Sequence, residues 1–275
     1  MHPILFEFGS FTIYTYGVLV ATGVLLGLWY ARHQAARAGL DPDKVWNLGI
    51  YMILSALVLA KLWLVASDWS YFAAHPREIF GIATYQSGGT FYGGVLGAFL
   101  MIAFYTYFQG MPIVSVLDTY AGALPLGHAI GRLGCFAAGC CYGRPTAVPW
   151  GVTFNSQAAG MLAGTPLGIR LHPTQLYEAA DEFLNFAVLV WLGGRRRFRG
   201  QIVGAYFVLY GIGRGTIEFF RGDPGRTMMF HGAVSLMQLV SVALILTGTF
   251  LWWRGLRGGA SPALAATHGA PAKHS

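Results

Sequence analysis

FTIYTYGVLVATGVLLGLWYA, residues 11–31, is an uncharged and largely apolar run of 21 residues, and its length decides the fold class. A helix needs roughly 20 predominantly apolar residues to cross a hydrocarbon core of about 30 Å. Six further runs of similar length follow it, near residues 46–67, 88–108, 113–136, 174–193, 201–221 and 232–253. The sequence therefore predicts an all-α integral membrane protein with seven transmembrane helices.

The composition agrees with a membrane protein. Of the residues, 55% are hydrophobic and 11% are charged, whereas a soluble domain carries about 25% charged residues. The basic residues that account for the net charge of +7 follow the first, fifth and seventh runs: Arg32, Arg37, Lys44, Arg195, Arg196, Arg197, Arg199, Arg254, Arg257 and Lys273. With seven crossings these segments share one side, which the positive-inside rule makes the cytoplasm. We therefore expect an outside amino terminus, a cytoplasmic carboxyl terminus and no nucleic-acid partner.

The domain organisation predicted from the sequence is simple. No repeat of fixed period interrupts the chain, so residues 1–257 are expected to form a single seven-span membrane domain. Residues 258–275 are small and polar, which is typical of a disordered tail, here on the cytoplasmic side. The sequence leaves the oligomeric state open.

Ionisable residues inside membrane spans are costly and mark candidate functional sites. Arg132, Arg214, Glu218 and Arg221 all fall in the outer halves of the predicted fourth and sixth spans. Arg214 and Glu218 are four residues apart, so they can form an ion pair on one helix face. Two interpretations stay open: the arginines form a socket for a phosphate, or they pair with acids and carbonyls to hold helices together.

The stretch GHAIGRLGCFAAGCCYGRPT, residues 127–146, contains every cysteine of the chain: Cys135, Cys140 and Cys141. One of them is a candidate nucleophile whose pKa Arg132 or His128 would lower. Alternatively, Cys135 forms a disulfide with one of the other two, or the thiols pack as small apolar side chains. His128 and the thiols are numerous enough for zinc, but the spacing lacks a C-x-x-C pair, so we predict no metal and no cofactor.

The longest predicted outer loop, residues 140–172, is rich in aromatic and apolar residues, which argues against disorder. It ends at His172, which precedes Pro173 and the fifth span. A histidine at the mouth of an outward-facing site is a candidate general base or phosphate contact. A role in bracing the loop is the alternative.

Five motifs together identify a resemblance: YGVLVATG around Tyr16, SGGTFYGGVLGA, GRLGCFAAGCCYGR, HPTQLYE and GRGTIEFFRGD. The chain resembles the prolipoprotein diacylglyceryl transferases, seven-span enzymes of the bacterial inner membrane. These enzymes move a diacylglyceryl group from phosphatidylglycerol to the lipobox cysteine of a prelipoprotein signal peptide. The resemblance implies the same location, with phosphatidylglycerol or another anionic phospholipid and a prelipoprotein as partners.

The resemblance also implies roles for individual residues. Arg132 aligns with the arginine of the family's GRxGNF signature, and Arg214 and Glu218 align with its sixth-span arginine and glutamate. In the family the two arginines are thought to hold the phosphatidylglycerol head group. Further matches to family positions are Tyr16, Gly143, His172 and Gln175.

Three departures from the family pattern concern its polar residues. Tyr92 replaces the usual histidine of the third span, Cys135 replaces an asparagine and Cys140 replaces a glutamate. Tyr92 stays a candidate, although a phenol with a pKa near 10 is a poor base, and His128 or His172 is expected to take the role of base. The alternatives are a divergent paralogue with another acceptor and a non-catalytic protein that binds or transports phospholipid.

Overall fold

A computed structural model of the chain describes residues 2–8, 11–81 and 90–258. The chain divides into two compact units, of which one is Arg32–Val116 and the other is formed by the residues on either side of it. The predicted tail lies, apart from residue 258, outside the described residues.

The described residues are mostly helical. The helices are α1 (Thr15–Ala35), α2 (Pro42–Ser67), α3 (Trp69–Ala74), α4 (Phe91–Phe108), α5 (Ile113–Ala138), α6 (Gln157–Ala163), α7 (Thr174–Gly193), α8 (Gln201–Ile217) and α9 (Leu236–Arg257). Antiparallel strand pairs join β1 (Ile4–Phe8) to β2 (Phe11–Tyr14), β3 (Val152–Thr153) to β4 (Arg170–Leu171), and β5 (Met228–Met229) to β6 (Val234–Ser235). Short 3-10 helices cover Ala36–Ala38, Pro76–Phe80, Glu218–Phe220 and Phe230–Gly232.

Three of the described helices, α2, α5 and α9, are long and apolar enough to cross a membrane. A shorter apolar helix covers Tyr92–Phe108. Many large apolar side chains stay exposed in the structure, including Leu57 on α2 and Leu246 on α9, which are 58% and 66% exposed. An all-α membrane protein accounts for both features, because lipid rather than water surrounds such side chains.

Six of the seven predicted spans differ from the structure at one or both ends, and three of these differences have a local explanation. Residues 11–14 form β2 instead of the start of a helix, because they pair with β1 as a hairpin. The helix α8, which corresponds to the sixth predicted span, ends at Ile217, where the backbone tightens into a 3-10 turn. The last helix begins at Leu236, because Ser235 caps it through a reciprocal hydrogen-bond pair with Gln238.

The unit Arg32–Val116 is built on the close packing of α2 against α4. A Cβ atom on Gly97 would lie 2.6 Å from the carbonyl oxygen of Ser55, so only glycine permits this approach. The α2 helix begins with Pro42 at its first position, and the Asp41 side chain accepts hydrogen bonds from the next two free N–H groups.

In the other unit, Asp118 on α5 anchors the amino terminus of α8. Its buried carboxylate accepts backbone hydrogen bonds from Gly200, Ile202 and Val203 at 2.7, 3.1 and 2.9 Å, and it pairs with Arg196. These donors are the unpaired N–H groups at the start of a helix, where the helix dipole also favours an anion. Asp118 therefore fixes α8 relative to α5, on which Arg132 also lies.

Candidate functional site

A hydrogen-bonded chain links α5 to α7 through His128. The Nε–H of Arg132 donates to Nε2 of His128 at 3.1 Å, and Nδ1 of His128 lies 2.9 Å from Oε1 of Glu182. An imidazole that accepts at Nε2 carries its proton at Nδ1, from which it donates to the carboxylate. His128 thus orients Arg132, and neither of its ring nitrogens is left without a partner.

Glu178 on α7 is the carboxylate on which three arginines converge. Its buried side chain lies 2.6 Å from Nε of Arg132, 3.3 Å from Nη1 of Arg221 and 4.0 Å from Nη1 of Arg214. The contact with Arg132 is an ion pair without an aligned hydrogen bond, because the single Nε–H of Arg132 is directed to His128. A carboxylate this deeply buried requires such compensation.

The other arginine charges are balanced by further acids. Arg214 lies 2.6 Å from Glu218, so the ion pair predicted from their spacing is present. Glu218 also lies 2.9 Å from Nε of Arg226. Arg221 donates two hydrogen bonds to Asp223, at 2.6 and 2.8 Å. These contacts are local in sequence, so among the described contacts of the site's arginines only those with Glu178 on α7 join separate helices, as the helix-holding interpretation requires.

Arg132 differs from the other arginines in its terminal nitrogens. Within residues 2–8, 11–81 and 90–258, its Nη1 and Nη2 atoms make no hydrogen bond, and its side chain is 16% exposed. A guanidinium whose terminal N–H groups are unused can bind a phosphate through paired hydrogen bonds. A phosphate can therefore bind to Arg132 without displacing a carboxylate from it.

The thiols of the GRLGCFAAGCC segment lie together. The Sγ atoms of Cys135, Cys140 and Cys141 all lie within 4.8 Å of one another, and the three cysteines are free rather than joined in a disulfide. Thr174 and Gln175 hold the loop from α7: they donate to the carbonyl oxygens of Cys141 and Cys140 at 2.8 and 2.7 Å. The cluster therefore has a fixed backbone.

The thiol cluster borders the arginine cluster. Tyr16 on α1 interacts electrostatically with the three thiols and with Arg132. Arg132 interacts with Cys135 and Cys141, and Arg221 interacts with Cys141. The structure therefore brings the predicted residues Tyr16, Arg132 and the cysteines into one site.

Gly143 is required by the close approach of two loop segments. Its N–H donates to the carbonyl oxygen of His172 at 3.0 Å, and the N–H of His172 donates to the carbonyl oxygen of Arg144 at 3.0 Å. A Cβ atom at position 143 would lie 2.5 Å from both Cβ and the carbonyl oxygen of His172. The predicted outer loop is thus ordered and packed on the start of α7.

The His172 side chain is braced by aromatic neighbours. Its Nδ1 atom lies 3.1 Å from the hydroxyl of Tyr177, which accepts a hydrogen bond from Trp150 at 2.7 Å. Burial lowers the pKa of His172, and the positive charge of Arg144 adds to this effect. The hydroxyl of Tyr177 therefore donates to a neutral imidazole, and this geometry fits the bracing role of His172 better than that of an available base.

Two further predicted site residues, Gln175 and Tyr92, lie in different parts of the structure. Gln175 is completely buried, and its Oε1 atom has no hydrogen-bond donor among the described residues. Tyr92 lies on α4, in the unit Arg32–Val116, so its place in the site stays a prediction. Glu178 and Glu182 are ionisable residues of the predicted fifth span and so are candidates from the sequence, without an assigned role, whereas nothing in the sequence singles out Arg226. The four-residue spacing of the two glutamates in a predicted span was the available signal.

Comparison with known proteins agrees with the geometry. The family model "Prolipoprotein diacylglyceryl transferase" matches residues 3–254. A phosphatidylglycerol–prolipoprotein diacylglyceryl transferase of Clostridium tetani is 31% identical over 92% of this chain and 97% of its own length. Proteins of the same name from Finegoldia magna and Clostridioides difficile are each 32% identical, over 91% and 90% of this chain and 94% and 93% of their own lengths. The resemblance carried by the motifs is confirmed, and the chain belongs to the prolipoprotein diacylglyceryl transferase family.

Proposed function

We propose that this chain is a membrane enzyme that transfers a diacylglyceryl group from phosphatidylglycerol to the cysteine thiol of exported prolipoproteins. The observation that carries this proposal is the terminal edge of Arg132, whose N–H groups make no hydrogen bond among the described residues and which belongs to a buried network of acids and arginines. That edge supplies the paired donors that a lipid phosphate requires. The names of the relatives supply the donor and the acceptor.

The reaction that fits this site is a displacement at carbon. The acceptor sulfur, as thiolate, attacks the glyceryl carbon bonded to the phosphate oxygen. A C–S bond forms, the C–O bond breaks, and glycerol phosphate leaves with the electron pair. Arg132 holds the phosphate and stabilises the charge that develops on the leaving oxygen. Arg214 and Arg221 share Glu178 with Arg132, so they compensate part of the negative charge of this carboxylate.

The site requires access from the lipid and from the outer side of the membrane. We propose the bacterial inner membrane, seven crossings and an outside amino terminus, which follow from the basic segments of the sequence and the positive-inside rule. In this orientation Arg132 lies near the outer end of α5. The acceptor cysteine is then the lipobox cysteine of a signal peptide that emerges on the same side.

A second candidate is transfer of the same lipid group to a different acceptor. The observation that favours it is the thiol cluster, because Cys135 and Cys140 stand where the family has an asparagine and a glutamate. Both candidates use the same donor and the same arginine, and they differ only in what accepts the lipid group.

The test is mass spectrometry of a lipobox peptide after incubation with the purified protein and phosphatidylglycerol vesicles. We expect the peptide to gain the mass of one diacylglyceryl group, and a peptide with serine in place of cysteine to gain none. Arg132→Lys should lower the rate by roughly 100-fold, since lysine cannot form paired hydrogen bonds. Arg170→Lys, at an exposed arginine of the same outer loop, is the matched control and should leave the rate unchanged.

Two outcomes would favour another function, and a third would overturn the role of Arg132. Loss of phosphatidylglycerol without peptide modification would favour a different acceptor. Binding of phosphatidylglycerol without its consumption would favour a non-catalytic lipid-binding protein. Equal activity of Arg132→Lys and Arg170→Lys would overturn the role of Arg132.

A further inference from the structure

The thiol triad, Cys135, Cys140 and Cys141, is a cluster of soft metal ligands that the transfer reaction described above leaves unused. Its Sγ atoms all lie within 4.8 Å of one another. With Zn–S bonds of about 2.3 Å, two sulfurs of a tetrahedral zinc site lie about 3.8 Å apart, so side-chain rotations that close a gap of about 1 Å suffice. The triad is therefore close to the geometry of a trithiolate zinc site.

The backbone around the triad is held in an uncommon conformation. Cys141 has a φ of 60°, in the left-handed region that residues other than glycine rarely adopt. The completely buried side chains of Thr174 and Gln175 hold the carbonyl oxygens of Cys141 and Cys140. These contacts stabilise an unfavourable backbone conformation beside the three thiols.

The number of ligands indicates the kind of metal site. In the described part of the chain, the triad is joined by no histidine or carboxylate that could serve as a fourth ligand. Structural zinc sites are closed by four protein ligands, whereas catalytic sites have three and keep one position for water or substrate. The triad thus matches a zinc ion with an open position.

The charges around the triad suit an anionic metal centre. Zn²⁺ with three thiolates carries one negative charge, and a fourth thiolate would raise this to two. Arg132 interacts electrostatically with Cys135 and Cys141, and Arg221 interacts with Cys141. These guanidiniums, which also lie against Glu178 and Asp223, would place positive charge beside a bound zinc ion.

We propose that Cys135, Cys140 and Cys141 bind a zinc ion whose open position takes the acceptor thiol as a thiolate. The inference rests on the proposed function, because it assigns the activation of the acceptor in the same reaction. A metal-bound thiol is deprotonated outright, so the site replaces the general base that the family histidine would supply. Neither His128, both of whose ring nitrogens are engaged, nor His172, whose Nδ1 atom is engaged by Tyr177, is then needed as a base.

The proposed step is balanced without an oxidant or reductant. The acceptor sulfur binds zinc, and its proton leaves to water. The zinc-bound sulfur then attacks the glyceryl carbon: the C–S bond forms and the C–O bond breaks. The electron pair leaves with glycerol phosphate, which Arg132 holds. The product is a neutral thioether, a weaker ligand than a thiolate, so it leaves the metal.

Metal binding is tested on the full-length protein, purified under reducing conditions. Because the chain has 3 cysteines in all, any thiolate–metal absorption band arises from the triad. We expect about one zinc ion per chain by elemental analysis, as a single tetrahedral site requires. Titration of zinc-free protein with Cd²⁺ should give a charge-transfer band that saturates at the same ratio. The Cys135→Ser/Cys140→Ser/Cys141→Ser variant should lose both the zinc and the band.

Substrate binding at the metal has its own readout. The lipobox peptide should change the Cd²⁺ band in the absence of lipid, whereas the peptide with serine in place of cysteine should not. Removing zinc with a chelator should slow transfer by at least about tenfold, because only a few per cent of a free thiol is ionised at neutral pH. Added Zn²⁺ should restore the rate.

The variant Cys135→Asn/Cys140→Glu provides a folded comparison if the triple serine variant does not fold, because it carries the family's residues at both positions. It should lose the metal band. A wild-type protein that binds no more zinc or Cd²⁺ than this variant would overturn the proposed site. Full transfer activity of zinc-free protein would overturn the metal's role and leave the proposed function intact. A band that responds to the peptide without any lipid transfer would support the site and overturn the proposed function.

Discussion

Arg132 and His128 lie one helical turn apart on α5, and the Nε–H of the arginine donates to Nε2 of the histidine at 3.1 Å. The other ring nitrogen of His128 lies 2.9 Å from Glu182 on α7, so the histidine connects the arginine to a buried carboxylate. The hydrogen bond fixes the direction in which the terminal N–H groups of Arg132 point. His128 is therefore a positioning residue for the arginine, and its loss should affect both stability and transfer.

His128→Phe should lower the transfer rate by roughly 10-fold or more and the free energy of unfolding by about 2 kcal/mol, because it leaves a buried carboxylate and Nε of Arg132 without hydrogen bonds. His128→Gln can both donate and accept, and it should recover part of each loss. Thermal unfolding in detergent and the peptide transfer assay measure the two effects. If His128→Gln were as inactive as His128→Phe but as stable as wild type, His128 would be a base rather than a support.

Glu178→Gln should be among the most destabilising single substitutions in the site. It removes the charge near which Arg132, Arg214 and Arg221 lie, and it leaves buried positive charges without full compensation. Breaking a buried ion pair on one side costs about 3 kcal/mol or more. Thermal unfolding measures the loss, and Glu7→Gln, at an exposed position of β1, is the matched control. If Glu178→Gln and Glu7→Gln had equal unfolding midpoints, Glu178 would not be needed to compensate the charges of the three arginines.

Gly143→Ala should destabilise the outer loop by about 1–3 kcal/mol, the usual cost of overpacking. The new Cβ atom would lie 2.5 Å from Cβ and the carbonyl oxygen of His172, and 2.8 Å from the carbonyl oxygen of Phe220. Gly17→Ala is the control, because a Cβ atom there meets no heavy atom within 4 Å. Limited proteolysis should cut the loop faster in Gly143→Ala than in the wild-type protein, and at the wild-type rate in Gly17→Ala. Equal protection of both variants would show that the loop adapts.

The sequence predicts where most helices lie better than it predicts where they begin and end. Largely apolar runs locate α7 to the residue and α5 within two residues of its end, because a helix in lipid is apolar over most of its length even where it carries a few ionisable residues. The start of the first helix was placed too early, because residues 11–14 are as apolar in a hairpin as they would be in a helix. Apolar content does not distinguish a strand beside the membrane from a helix turn within it.

In the candidate site, the sequence predicts individual residues but not the contacts between them. Arg132, Arg214 and Glu218 were predicted because charges in apolar runs are rare and because family motifs carry them. The convergence of arginines on Glu178, and the contact of Glu218 with Arg226, depend on how α5, α7 and α8 pack. The closeness of Cys135, Cys140 and Cys141 in sequence predicts a candidate thiol site, but no sequence pattern indicates the left-handed backbone at Cys141.

Protonation of His172 should make the free energy of unfolding depend on pH. Burial, and then the charge of Arg144, lower its pKa below the ordinary value of 6.5 in the folded protein. The unfolded chain therefore binds this proton more readily, so the free energy of unfolding falls as the pH decreases from 6.5 through the folded pKa. Above 6.5 this contribution is fully present.

Thermal unfolding midpoints between about pH 5 and 8 test this prediction, because unperturbed histidines titrate in that range. The midpoint should fall on acidification in the wild-type protein, and the fall should be smaller in His172→Gln. His75→Gln, at an exposed histidine, should leave the wild-type slope unchanged. A midpoint that rises on acidification, and does so only while His172 is present, would mean that the folded loop binds the imidazolium. His172 would then be a cationic partner for an anion rather than a neutral brace of the loop.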